Sequence, residues 1–111
     1  MAPEPRLRAG LWVAAYLARL RVQDIPAFVT AHGDDAAGAV LVKLATLDGQ
    51  ARLFQRSLDA AGARVWMTLA EGQEAEVDAA VARQRRFDPD LWVVEVEDRA
   101  GRHLLGEEGL E

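Results

Sequence analysis

Apolar residues recur at helical spacing in two stretches of the chain. The first stretch, residues 8–23, has apolar side chains on both sides when its positions are placed at 100° intervals. Its bulkier side comprises Trp12, Val13, Tyr16, Leu17 and Leu20, and its smaller side comprises Leu11, Ala14, Ala15, Ala18 and Val22. Because a sheet covers only one side of a helix, we expect helix two or a second subunit to cover the other side.

The second helical stretch, residues 73–87, has a narrower apolar stripe and a more polar surface. Acidic residues stand in its first turn and arginines in its last, an order that suits the helix dipole at both ends. Asp88-Pro89 then ends the helix, because a residue before proline disfavours the α conformation.

Runs of alternating or continuous apolar residues predict the strands. They cover residues 27–31, 39–44, 52–58, 63–69 and 91–96, and a short further strand is expected at 103–105. Asp48-Gly49 supplies the conformations that a tight hairpin turn needs, and the small and acidic residues 33–38 favour another hairpin loop. The predicted order is a helix, a four-strand meander, a helix and a final strand or hairpin.

These elements predict an α+β fold in which two helices accompany a mainly antiparallel sheet of about five strands. A length of 111 residues suits one domain, residues 1–111. We expect residues 1–6 and 106–111 to fray, as the ends of a domain commonly do.

Composition and charge narrow the classes of function. Half of the residues are hydrophobic and about a quarter are charged, as in ordinary globular domains. A net charge of −5 makes nucleic acid an improbable partner, since binding to phosphates depends on Lys and Arg. Cysteine is absent, which excludes disulfides and cysteine-ligated zinc.

The first residues imitate a secretory signal, with Arg6 and Arg8 preceding the apolar run 11–20. Arg19 and Arg21 end that run, and it is too short to span a bilayer. We therefore expect a cytoplasmic protein without a membrane partner. No glycine-rich phosphate motif occurs, so the sequence implies no cofactor.

The densest group of candidate metal ligands is acidic and lies near the C-terminus. It comprises Asp88, Asp90, Glu95 and Glu97, followed by Asp98. Mg²⁺ and Ca²⁺ prefer carboxylate oxygens, so a metal-dependent hydrolase is one alternative. The spacing resembles a nuclease pattern, but Glu97 stands where that pattern has its lysine, so the same residues also suit a turn around Pro89 and a solvated strand face.

Arginines and tryptophans suggest two kinds of binding surface. Arg83, Arg85 and Arg86 favour an anionic ligand or nucleic acid as a further alternative, although such a run is also typical of a solvated helix end. Trp66 shares its strand face with Arg64 and is a candidate interface anchor. Leu11, Ala15 and Ala18 on the smaller side of helix one complete the interface candidates.

Three stretches of the chain resemble a known family. They are Leu11-Trp12-Val13, the run GAVLVKL from Gly38 with the following Leu47-Asp48-Gly49, and the block RFDPDLWVVEVED at residues 86–98. Together they resemble the alphaproteobacterial domain-of-unknown-function family numbered fourteen ninety-one, whose members have about this length. The resemblance implies no activity, ligand or catalytic residue.

The function expected from the sequence is therefore a small, non-catalytic interaction or assembly module, with a homo-oligomer such as a homodimer as one form. No serine, histidine or cysteine lies in a recognisable nucleophile motif. The metal-dependent hydrolase and the binder of an anionic ligand remain the alternatives.

Overall fold

The computed structural model describes residues 8–110, in which two helices and five strands follow one another. They are α1 (Ala9–Val22), β1 (Ala27–Ala31), β2 (Val40–Ala45), β3 (Gln50–Leu58), β4 (Arg64–Gln73), α2 (Glu74–Phe87) and β5 (Trp92–Glu97). The α+β class, both helices and the five strands agree with the prediction. The predicted fraying of residues 1–6 and of Glu111 concerns positions outside the described residues.

The sheet is mixed, so the prediction of a mainly antiparallel sheet was wrong. Its strand order is β1-β5-β2-β3-β4, and β5 runs parallel to β2 but antiparallel to β1. Only β2, β3 and β4 form a meander, rather than the four strands that were predicted. β5 takes an inner position, where Trp92, Val94 and Val96 are buried on the face toward α1 and Val93 is buried on the other face.

The segment between β1 and β2 is a crossing loop rather than the hairpin loop that was predicted. It passes over the start of β5, where the Asp34 N–H donates to the Asp90 carbonyl at 2.9 Å and the Trp92 N–H donates to the Ala39 carbonyl at 2.8 Å. A Cβ atom on Gly33 would lie 2.3 Å from the Asp90 carbonyl oxygen. The small residues of this loop therefore let β1 and β2 stand on either side of β5.

Each face of the sheet is covered by one helix. The bulky side of α1 covers one face, where Trp12 and Tyr16 are buried, as the sequence predicted. α2 covers the opposite face at β3 and β4, where Val77 and Ala80 pack with Leu53. Because the two helices lie on opposite faces, α2 does not cover the smaller side of α1.

The segment after β5 packs across α1 without forming the strand predicted at residues 103–105. Leu110 is only 1% exposed, and the Tyr16 hydroxyl donates to the His103 carbonyl at 2.7 Å. Arg19 donates to the Glu108 carbonyl at 2.8 Å. α1 thus offers this segment both apolar contact and hydrogen-bond donors, and the fraying of residues 106–111 stays a prediction.

Candidate functional site

A cleft of about 610 Å³ opens at the end of the sheet where α1 begins and α2 ends. The end of β3, the start of β4 and the loop before β2 also line it. This volume lies within the range of small-molecule sites. We call it the arginine–tryptophan cleft after the residues that define it, Arg8, Arg56, Arg64, Trp12 and Trp66.

The inner wall of the cleft is a cluster of aromatic rings under a guanidinium group. The rings of Trp12 and Trp66 lie 5.3 Å apart between centroids, and Tyr16 stacks on Trp12 at 4.9 Å. The Arg56 Cζ atom lies 5.1 Å from the Trp12 centroid and 4.9 Å from the Trp66 centroid. Arg56 and Trp66 face each other across β3 and β4, so the strand register holds this arrangement.

The charge that lines the cleft is positive, although the whole chain is acidic. Among the described residues that line the cleft, three arginines and one carboxylate, Asp88, give a net charge of +2, against −5 for the whole sequence. Neither Arg8 nor Arg64 forms an ion pair within the described part of the chain. α1 begins at this cleft and has no acidic residue in its first turn, so the helix dipole adds to the positive potential.

The two tryptophan N–H groups of the cleft differ in their partners. Trp66 Nε1 donates to the Leu110 carbonyl at 2.9 Å. Trp12 is only 4% exposed, and its Nε1 has no hydrogen-bond acceptor among residues 8–110. A buried donor without an acceptor costs about 1–3 kcal/mol. Trp12 is thus the core residue that the sequence predicted, but one of its polar atoms is unsatisfied.

A second polar centre lies on the other face of the sheet, around the chain's one lysine. Lys43 is 5% exposed, and its Nζ donates to Asp78 at 2.7 Å, to Glu74 at 2.8 Å and to Glu95 at 3.3 Å. Glu74 and Asp78 stand one turn apart on α2, and Glu95 lies on the neighbouring strand β5. The lysine therefore joins α2 to the middle of the sheet.

Lys43 is held as a cation. Burial by itself would lower the pKa of its ammonium group, but the hydrogen bonds to Asp78 and Glu74 and the charge of Glu95 outweigh burial and raise the pKa above its usual range. A lysine in this state does not accept a proton near neutral pH. We interpret this centre as an internal ion cluster that holds the fold together rather than as a general base.

The carboxylates proposed as metal ligands do not converge. Within residues 8–110 no group of three or more His, Asp or Glu side chains is placed to hold a metal ion. Glu95 pairs with Lys43, while Asp88 accepts from the Asp90 N–H at 3.1 Å in the turn before β5. Glu97 lies two residues further along the strand than Glu95. Asp88 thus has the turn role that was its alternative interpretation, whereas Glu95 pairs with buried Lys43 rather than standing on a solvated strand face.

The arginines at the end of α2 do not form one surface site. Arg85 donates to the carbonyls of Pro89 at 2.9 Å and Leu91 at 2.7 Å, so it ties the helix end to the following turn. Arg83 and Arg86 are exposed. None of the three lines the cleft.

The interface candidates fall into two separate groups. Trp66 and Arg64 line the cleft and lie on the α1 face of the sheet. Leu11, Ala15 and Ala18 lie on the smaller side of α1, which faces away from the sheet. The exposed fractions of Leu11 and Val22 on this side are 56% and 80%.

Similarity to known proteins covers almost the whole chain. The family model described as a protein of unknown function, DUF1491, matches residues 7–106. The chain belongs to the DUF1491 family. The resemblance seen in the sequence is therefore confirmed.

Solved DUF1491 structures have the same fold. A crystal structure of a DUF1491 protein from Caulobacter crescentus CB15 is 44% identical, covers 92% of this chain and 97% of its own, and superposes with a TM-score of 0.84. An NMR structure of a DUF1491 protein from that organism is 43% identical, with coverages of 94% and 96% and a TM-score of 0.80. The solution structure of Atu0922 from A. tumefaciens is 32% identical, covers 84% and 86%, and gives a TM-score of 0.71. No curated protein matches the chain.

Neither helix within residues 8–110 of this DUF1491 protein has the length and apolar character needed to cross a bilayer. The cytoplasmic location stays a prediction.

Two features of this DUF1491 protein were missed by sequence analysis, and only the first left a signal in the sequence. Lys43 interrupts an otherwise apolar strand, and the spacing of Glu74 and Asp78 puts two carboxylates on one side of α2. Arg56 lies in a strand whose apolar and polar residues alternate, and this pattern does not indicate which side chains it contacts. Its place beside Trp66 depends on the register of β3 with β4, which the sequence does not specify on its own.

Proposed function

We propose that this DUF1491 protein is a small, non-catalytic assembly module whose copies pair through the smaller side of α1. The observation that carries the proposal is the exposed apolar seam formed by Leu11, Ala15, Ala18 and Val22. The sheet and α2 lie on the far side of α1, so no described element of the same chain covers this seam. Exposed apolar surface of this kind is typical of interaction sites.

The seam suits a partner helix of the same sequence. Its residues are spaced by four, three and four positions, which is the spacing of a seam between two packed helices. In an antiparallel pair, Leu11 of one protomer faces Val22 of its partner, and Ala15 faces Ala18. Large side chains then meet at the ends and small ones at the centre, where alanines allow the helix axes to approach closely.

Antiparallel pairing also satisfies the symmetry of a homodimer. A two-fold axis between Ala15 and Ala18 uses the same surface on both protomers, as closed dimers require. The two helix dipoles then oppose each other, so each helix N-terminus lies near the partner's C-terminus. Because one helix pair buries less area than a standard interface, we expect a weak dimer that dissociates at roughly micromolar concentration.

Cysteine cross-linking tests the arrangement directly, because the chain has no cysteine of its own. In the double variant Leu11→Cys/Val22→Cys, the two thiols of one helix lie about 16 Å apart and cannot bond to each other. The antiparallel dimer brings each thiol close to its counterpart in the partner. We expect a disulfide-linked dimer in non-reducing gels.

Single variants and light scattering provide the controls. Leu11→Cys alone should form little linked dimer, because its antiparallel counterpart is Val22. Efficient linkage of this single variant would indicate parallel pairing and contradict the arrangement. By light scattering at roughly 100 µM, Ala15→Glu should be monomeric, whereas Ala82→Glu on the exposed side of α2 should dimerise like the unmodified protein. A monomeric unmodified protein at that concentration would rule the proposal out.

A further inference from the structure

We propose that the arginine–tryptophan cleft binds a small organic anion that carries a phosphate or carboxylate group on a flat apolar body. The cleft lies at the start of α1 and the end of the sheet, whereas the seam proposed for pairing lies along the outer side of α1. Binding and pairing are therefore separate properties of the chain.

The charge of the ligand follows from the side chains that converge at the cleft. Arg8 directly precedes α1, whereas Arg56 and Arg64 lie on the neighbouring strands β3 and β4, so the fold brings the start of α1 to this hairpin. Arg8 and Arg64 have no ion pair in the described part of the chain, so their donors are available to a ligand. Guanidinium groups bind phosphate and carboxylate through paired hydrogen bonds.

The other residues that line the cleft favour a ligand with a flat apolar body. The Trp66 ring is half-buried and lines the cleft, and Leu58 beside it is exposed. Ala36 and Ala37 in the crossing loop provide a small apolar wall at the cleft. A ring that packs between this wall and Trp66 would bury apolar surface that is now in contact with water.

Trp12 has an unpartnered polar atom beside the cleft. It lines the cleft, it is 4% exposed, and its Nε1 donor has no acceptor within residues 8–110. Buried polar groups nearly always have a hydrogen-bond partner in native proteins. This N–H is enclosed by protein atoms, so its NMR signal should report on packing of the ring beside the cleft rather than on a direct bond to the ligand.

On the α2 side of the sheet the cleft has polar residues without positive charge, beside the apolar Leu41 and Leu91. Gln84 and Asp88 from the end of α2 stand there with Gln55 and Ser57 from β3. Asp88 would repel an anionic group, so it directs that group toward the arginines. Hydroxyl or amino groups on the far end of a ligand would meet hydrogen-bonding partners at these residues.

The test uses three probes that share one flat ring. Phenyl phosphate and benzoate carry the two candidate anionic groups, and benzyl alcohol is their neutral counterpart. Each is titrated to about 10 mM, since fragment-sized ligands bind weakly, while the indole N–H signals are followed by NMR. We expect at least one anion to shift the Trp12 and Trp66 signals saturably. The Trp92 signal should stay in place, because Trp92 lies outside the cleft and donates to the Asp34 carbonyl.

Matched arginine variants separate the cleft from the general charge of the protein. Arg64→Gln and Arg8→Gln should each weaken anion binding about tenfold, because each removes charged hydrogen bonds to the ligand. Arg83→Gln makes the same charge change on an exposed position of α2 and should leave the affinity within about twofold. Benzyl alcohol should give no saturable shift in any of these proteins.

Three results would overturn the proposal. One is the absence of saturable shifts with both anions in the unmodified protein. Another is equal loss of binding in Arg83→Gln and Arg64→Gln, which would indicate a diffuse charge effect. The third is binding of benzyl alcohol as tightly as the anions, which would make the cleft an apolar pocket without charge selectivity. Preference between phenyl phosphate and benzoate identifies which anionic group the cleft accepts.

Discussion

Replacing Lys43 by methionine should destabilise the fold through the three carboxylates left behind. Methionine keeps most of the unbranched stem, so apolar packing changes little. Glu74, Asp78 and Glu95 would then face one another without the cation that now lies within 3.3 Å of each. The first turns of α2 would lose their link to the middle of the sheet.

The expected loss of stability in Lys43→Met depends on how deeply each of the three carboxylates is buried. Removing one partner of a fully buried ion pair costs about 3–5 kcal/mol. Here the carboxylate side chains keep 42%, 56% and 26% of their surface exposed, so water can solvate part of the charge. We therefore expect a loss of about 2–3 kcal/mol in the free energy of unfolding at pH 7, and a fall of roughly 10 °C in Tm.

Urea unfolding followed by tryptophan fluorescence measures this loss. The matched control is Arg52→Met, which removes an exposed partner of Glu71 at 3.1 Å and should cost less than about 1 kcal/mol. A Lys43→Met protein as stable as the unmodified one at pH 7 would refute the role assigned to this cluster.

Stability at alkaline pH provides a second test of the role of Lys43. Because the pKa of Lys43 is raised in the folded state, its contribution to stability is complete below the ordinary value of 10.5 and is lost as the pH rises above that value. The stability of the unmodified protein should therefore decline above about pH 10.5 more steeply than that of Lys43→Met.

Two further predictions concern the segment after β5. Leu110→Ala should lower the free energy of unfolding by about 2–4 kcal/mol in urea unfolding, because the Leu110 side chain is buried against α1. The control Glu108→Ala changes an exposed side chain and should have little effect. Equal stability of the two variants would show that this segment is not docked. Burial, with a smaller effect of the Arg52 charge, lowers the pKa of His103, so its contribution to stability is present above pH 6.5 and is lost as the pH falls. His103→Gln should reduce the decline in Tm between pH 7 and pH 5, and an unchanged decline would contradict this assignment.

Local patterns in the sequence determined the helices, the bulky side of α1 and the turn at Asp48-Gly49. These features depend on residues within a few positions of one another, since helical periodicity and turn conformations are properties of short segments. Gly49 has a φ of +87°, which agrees with the conformation that the turn required. The family resemblance also came from short blocks of sequence and extends over residues 7–106.

The strand order, the cleft and the ion cluster were decided by tertiary structure alone, because these features depend on which distant segments pair. β5 enters between β1 and β2, and this single choice makes the sheet mixed and puts Glu95 beside Lys43. The register of β3 with β4 sets Arg56 opposite Trp66, and Leu110 packs into the core from a segment for which local patterns predicted fraying. The cleft and the ion cluster both arise from such long-range pairing, which local sequence patterns do not specify.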